Sequence, residues 1–350
     1  MRLDPKFVND LLDPNPDPLV LKKTFVDTGD MDRLREEYLY RPGSFLLAGD
    51  RGSGKTTLFR IFHYEFLATL ERKFDKKHVL KNIGISFSKI FLKDVEPPST
   101  SLLRLPAYMI VNPIENLNQL KISFIANIIG EIAKQMLFVN KISSREVFKT
   151  NEELQSILFK VKGIKLRTGA EMGIMVGNNF IPITIKDTAY KDMTSKVTTL
   201  PRHYNLLDDL YNLIQKNDTQ NPHFILFLDE FDKIKLEHAG KLLSAHQAIL
   251  FERFRRYCSF VIPCTLMNSK KFYGAEYKAV YNFDPFEVTP FNQKHTKELL
   301  NKRLKYYKSK LVWDELVSND TLKEIGEGAP RIILGNIKSR IKENEYEVPI

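Results

Sequence analysis

The sequence predicts an α/β fold: a parallel sheet flanked by helices, a small C-terminal helical lid and an inserted β-hairpin. Three observations predict it. In "FLLAGDRGSGKTTLFR", Phe45 to Arg60, an apolar strand runs into a glycine-rich turn and then into a helix. A second unbroken apolar run, Phe224 to Leu228, ends in two acids, Asp229 and Glu230. Such continuous runs are what parallel strands covered on both faces look like. Beyond about residue 291 the pattern changes to short amphipathic helices.

The first strand and turn also carry chemistry. Gly49, Asp50, Arg51, Gly52, Ser53 and Gly54 form a turn, and Lys55, Thr56 and Thr57 open a helix. This is the arrangement of a P-loop. Glycines let the backbone curl so that successive N–H groups face a phosphate, and the helix adds its positive end. Lys55 is expected to neutralise the β and γ phosphates, and the Thr56 hydroxyl to take one Mg2+ position. Thr57 is expected nearer the α phosphate. The flanking strand and the helix, with Leu58, Ile61, Phe62, Phe66 and Leu67 at helical spacing, make the motif specific. The fold class sharpens to a P-loop NTPase sheet, and the ligand to a nucleoside triphosphate.

A P-loop that hydrolyses its ligand needs a carboxylate for Mg2+ and a group to orient water. Asp229 and Glu230 sit at a strand's C-terminal end, the edge where open α/β sheets bind ligands. Asp229 is expected to serve the metal and Glu230 the water. Asp232 reads as a cap or a surface acid. The guanine-reading Asn-Lys-x-Asp pattern is missing, since "VNKISS" at Val139 lacks the acid, so ATP is the expected nucleotide.

Composition sets the class. Apolar residues make up 43% and charged residues 27%, which is ordinary for a globular chain long enough to bury a large core. No unbroken run of about 18 apolar residues occurs, and the proline-broken N-terminus is unlike a secretory signal. No membrane contact is expected. Cys258 and Cys264 lie on one strand-like run, roughly 20 Å apart if extended, so a reducing cytoplasm is expected. The net charge of +10 admits a nucleic-acid partner, although the basic residues are spread along the chain.

With the P-loop and "LDEFDKI" in place, the chain resembles the AAA+ ATPases. Within them it is most similar to the branch of origin-recognition and Cdc6-like proteins and to the related STAND signalling ATPases. The resemblance spans roughly residues 20–345. It implies an ATP-driven switch in which a sheet and a helical lid close on the nucleotide. It also implies a polar γ-phosphate sensor after the strand Ser259 to Cys264, a place that Asn268 matches; a loop asparagine capping the next helix is the other reading. "GAPR" matches the family's Gly-x-Pro-Arg and puts Arg331 in reach of the γ phosphate, against a plain surface arginine.

Two features depart from the family. The region of the usual arginine finger, "EYKAVYNFDPF", offers Lys278 but no arginine, while Arg253, Arg255 and Arg256 lie one helix earlier. The chain stops at Ile350, where origin-binding members continue into a winged-helix reader, so such a reader is expected to be absent or removed.

The remaining segments complete the expected organisation. Residues 1–24 read as an extended arm. Residues 25–290 form the ATPase core, and 291–350 the lid. "TGDMD" stands where the family shelters adenine, and no adenine residue is assigned. In the core, "KNIGISFSKIFL" and "PAYMIVNPIE" read as strands and "NQLKISFIANIIGEIAKQML" as a buried helix. A hairpin insertion is expected over about 162–188, with Ile164, Leu166, Ile181, Ile183 and Ile185 alternating and Gly177-Asn178-Asn179 as its turn. It either projects to a partner or decorates the fold. Lid helices are expected from Gln293 to Tyr307, over "SNDTLKEIGEG" capped by Asn319 or Asp320, and from Pro330.

The functional expectation is a Mg2+-dependent ATPase whose nucleotide state controls conformation and assembly with protein partners or itself. The alternative is a DNA-associated, loader-like ATPase.

Overall fold

The computed structural model describes residues 4–34, 44–74, 103–111, 116–143, 151–162, 173–176, 179–182, 199–216, 222–265 and 285–343. The chain begins with helices α1 (Pro5–Leu11), α2 (Pro18–Thr24) and α3 (Asp30–Leu34). Strand β1 (Phe45–Ala48) and helix α4 (Lys55–Phe74) follow, then β2 (Leu103–Ile110), α5 (Leu117–Ser143) and α6 (Asn151–Lys162). Strands β3 (Gly173–Val176) and β4 (Asn179–Pro182), helix α7 (Leu200–Lys216) and β5 (Pro222–Asp229) lead to α8 (Leu236–His246). After β6 (Cys258–Cys264) and β7 (Phe286–Glu287), the lid contains α9 (Gln293–Tyr306), α10 (Trp313–Leu316), α11 (Asn319–Ile325) and α12 (Pro330–Glu343).

The central sheet has the order β2-β5-β6-β1-β7, and every pairing in it is parallel. This is the α/β P-loop NTPase fold. Its register fixes the functional edge. Val261 pairs with both Phe45 and Phe227, so Leu47 on β1 and Asp229 on β5 stand level at the C-terminal edge. One strand lies between them, which spaces their backbones by roughly 10 Å. The whole of β1 and β6 is buried, as the unbroken apolar runs require.

Helix α5 is long and apolar enough to cross a membrane by composition, but 67% of that stretch is buried. Leu120, Phe124, Ile128, Ile132 and Met136 enter the core cluster against the sheet, which makes α5 a core helix. Cys258 and Cys264 are free and buried on β6.

Several expectations need correction. Residues 4–24 are not an extended arm but carry two helices. Asp4 and Asp17 each accept hydrogen bonds from the first turn of a helix whose first residue is proline, Pro5 or Pro18. An N-cap acid followed by proline starts a helix, because proline lacks the N–H that would be unpaired there. Ser318, rather than Asn319 or Asp320, caps α11. The hairpin pairs Val176 with Asn179, so Asn179 belongs to a strand and not to the turn. Asn268, Lys278, the strand expected at 81–92 and Ile164, Leu166, Ile183 and Ile185 of the hairpin lie outside the described residues.

Two apolar clusters organise the molecule. One joins the sheet to its helices; the other is the interior of the lid. Val8, Leu11, Leu12 and Val26 belong to the lid cluster, whereas Leu21, Met31 and Leu34 belong to the core. Burial of each such side chain is worth about 2 kcal/mol, so the N-terminal segment is firmly packed on both units.

Candidate functional site

A cavity of about 510 Å3 opens between the sheet edge, the N-terminal segment and the lid. Its floor is the turn that follows β1. Gly49 donates its N–H to the Cys264 carbonyl at 3.1 Å, which ties the start of the turn to the neighbouring strand. A Cβ at residue 49 would stand 2.5 Å from Ser53 Oγ, so a larger residue there would push the serine side chain aside. Gly52 has φ +84°, and a Cβ on it would meet the Arg331 Cβ at 2.9 Å. The turn is therefore curled by glycine and pressed by the lid at the same point. Arg331 also donates its backbone N–H to the Gly52 carbonyl at 3.3 Å.

Lys55 begins α4 and is only 8% exposed. Its ammonium donates to the carbonyls of Gly49 at 2.8 Å and Asp50 at 3.0 Å, which are the loop's own acceptors. Ser53 Oγ is buried and has no hydrogen-bond partner among the described residues. A buried cation, an unsatisfied hydroxyl and the start of a 20-residue helix make a donor-rich floor, and such a floor suits an anion. Arg51, Thr56 and Thr57 line the same cavity.

Asp229 and Glu230 reach the cavity from β5. Glu230 has φ 65°, a left-handed conformation that costs a non-glycine residue about 1–2 kcal/mol. Backbone strain of this sort tends to persist where a side chain must be aimed at a site. The Glu230 carboxylate is paired with Lys233 at 2.5 Å on the exposed side. Of the arginines considered as fingers, Arg253 is paired with Asp208 and lies over the Tyr211 ring at 4.8 Å, so it is engaged within its own neighbourhood.

The structure thus brings Gly49, Asp50, Gly52, Ser53, Gly54, Lys55, Thr56, Thr57, Asp229, Glu230 and Arg331 to one place. It also adds residues that the sequence had not singled out. The wall away from the loop is made by Pro14 to Pro16, Thr24 to Val26, Thr28 and Asp30, together with Leu299, Arg303 and Leu334 of the lid. Asp30 is 1% exposed, and its carboxylate accepts from Thr28 Oγ1 and Arg33 and from the backbone N–H and hydroxyl of Thr289, at 2.8–3.4 Å. It therefore fastens the N-terminal segment to the residues that lead from β7 into the lid. Burial holds the Arg303 guanidinium down to about 10. Its Nη1 donates to the Leu11 carbonyl at 2.6 Å, while its Nε has no partner among the described residues. The Asp-Pro helix starts were a readable signal for this wall, but its position over the cavity was not.

Comparison with known proteins agrees with the loop. The ORC-CDC6-like family model matches residues 21–88, the stretch that holds the P-loop and the part of the wall from Thr24 to Asp30. Over these residues the chain is similar to that family. Two solved structures are similar to the chain at low identity. The Aeropyrum pernix ORC1 protein in complex with DNA is 17% identical, with a TM-score of 0.46, and the match covers 97% of this chain and 65% of that one. The Aeropyrum pernix ORC2 protein in ADPNP–ADP complexes is 13% identical, with a TM-score of 0.41, and the match covers 95% of this chain and 73% of that one. The chain thus spans about two thirds of the length of the ORC1 protein. No curated protein matches it.

Proposed function

We propose that the chain is an ATP-binding and hydrolysing AAA+ switch whose nucleotide state sets its conformation and its assembly with protein partners or with copies of itself. What carries the reading is the convergence of a glycine-built cradle, a buried lysine and a strand-end acid pair on one sheet edge and one cavity. In this reading the N–H groups of Gly49 to Lys55 hold phosphate oxygens and Lys55 exchanges its loop carbonyls for the β and γ phosphates. Thr56 and Asp229 would hold Mg2+, which when bound offsets charge on the β–γ bridge. The donor set fits that ion, since hydroxyl and carboxylate oxygens are what Mg2+ prefers.

Glu230 would take hydrogen bonds from a water and orient it, and Arg331, pressed on Gly52, would report the γ phosphate to the lid. Asn268 is retained in the proposal as the second sensor. We further propose the division into an ATPase core over residues 25–290 and a lid over 291–350, with residues 4–12 packed into the lid's interior. A reducing cytoplasm and a STAND-like signalling or defence setting belong to the same proposal.

The test is the solution mass of Glu230→Gln with and without ATP and Mg2+, read beside its turnover. Retained ATP binding, lost turnover and a shift to a defined oligomer are expected. Turnover at the parent rate would remove Glu230 from the mechanism, and an unchanged mass would leave a monomeric switch.

The family match and the charge of +10 support a second reading, a DNA-associated ATPase. Duplex binding across a salt series decides it. Contacts to phosphates weaken steeply as salt rises, so weak and salt-independent binding would end this reading.

A further inference from the structure

Among the described residues, four side chains outside the N-terminal segment donate to its main-chain carbonyls. Three come from the lid, two from helix α9 and one from Tyr307, which caps its C-terminal end: Lys302 Nζ donates to Phe25 O at 2.9 Å, Arg303 Nη1 to Leu11 O at 2.6 Å and Tyr307 Oη to Asp10 O at 3.3 Å. The fourth comes from the core. Arg60, in α4 little more than a turn beyond Lys55, donates from Nη2 to Pro16 O at 2.8 Å. Residues 10–25 are therefore fastened to the lid at both ends and to the phosphate-loop helix in the middle. Between those fastenings, Pro14 to Pro16 and Thr24 to Val26 wall the cavity.

This connectivity has a mechanical consequence. When the lid lifts, the lid-side bonds travel with it and remain made, because both partners belong to the moving unit. The apolar residues Val8, Leu11, Leu12 and Val26, which share the lid's interior, travel likewise. The bond from Arg60 crosses between the units and must break, and Leu21, which is packed in the core cluster, must leave it. Because the Arg60 bond takes hold of a backbone carbonyl that proline cannot move far, it acts on the segment as a whole.

We propose that residues 10–25 are a strap over the nucleotide cavity and that Arg60 is the positioning residue that latches it to the core, so that nucleotide enters and leaves only when strap and lid lift together. The proposal rests on the nucleotide reading given above. A gate slows entry and exit alike and leaves the equilibrium unchanged, whereas a residue that only lines the wall changes exit and affinity together.

The experiment uses the full chain and a fluorescent ribose-labelled ADP, with entry and exit rates measured by stopped flow. Arg60→Ala should speed both rates by about fivefold, the effect expected from losing one hydrogen bond, with Kd unchanged. Arg60→Lys keeps a donor and should restore slow exchange. Tyr307→Phe removes a bond that does not cross between the units and should leave both rates as they were. Faster exit alone with a weaker Kd would make Arg60 a wall residue and overturn the gate. Unchanged rates in Arg60→Ala, or equal acceleration in Tyr307→Phe, would overturn the latch. Failure of the parent chain to bind the label, or equal binding by Lys55→Ala, would instead sink the nucleotide reading and the gate with it.

Discussion

The two ends of the cavity are built differently. The loop end, where the proposed function puts the phosphates, comes from nine consecutive residues, Gly49 to Thr57, and two more at the end of one strand. Its donors are mostly backbone N–H groups, which any sequence could supply once the turn is curled. The opposite end is assembled from residues 14–30, the lid helices α9 and α12 and the connection after β7, far apart in the chain. There the shape is held by side chains such as Asp30 and Arg303 that reach across elements. The contrast teaches that a site made by local backbone geometry announces itself as a motif, while a site made by packing does not.

That contrast can be broken or sharpened by experiment. The largest effect is expected at the loop end. Glu230→Gln should lower ATP turnover by about 100-fold or more while ATP still binds, the usual range for loss of a positioned base; a steady-state ATPase assay decides it. Lys55→Ala should weaken ATP binding by about 10- to 100-fold, as expected for a charge-assisted contact. Titration calorimetry would reveal an unchanged affinity and so remove the lysine from the site.

At the other end, Asp30→Ala should cost about 2 kcal/mol of stability, because the half-buried Thr289 N–H and hydroxyl lose their acceptor. Denaturant unfolding measures this. A loss as large for Thr56→Ala, a half-buried position at the loop end of the cavity, would mean that the two ends do not differ as described. The smallest change is expected for Arg331→Ala. ATP affinity should fall only a few-fold, within the ~1 kcal/mol of a partly exposed ionic contact, while ATP-induced protection from protease is lost. Protection that persisted in the variant would free Arg331 from any role in closing the lid.

How much was legible follows from the same distinction. The P-loop, the acid-ended strand, the buried helix α5 and the lid helices α9 and α12 were readable, because each is a pattern in neighbouring residues. The reading of residues 1–24 as extended failed even though Asp4-Pro5 and Asp17-Pro18 are local helix starts. Of the prolines in "DPNPDPLV" only Pro18 opens a helix, as Pro5 does before it, so these two are first-turn residues and not breaks. The hairpin turn was off by one residue, since pairing register depends on the partner strand and not on composition.

By itself the sequence determined the sheet's class, the curled turn at Gly49–Gly54, the lysine and threonines that follow it and the acids that end β5. Those are consequences of torsion preference and of which faces must be buried, both properties of short stretches. Only the tertiary structure decided that Leu47 and Asp229 stand level, that Arg331 presses on Gly52, and that Arg60 and Asp30 tie the N-terminal segment over the cavity. These depend on contacts between residues tens to hundreds of positions apart, whose formation is governed by the packing of whole elements and is not written in any local pattern.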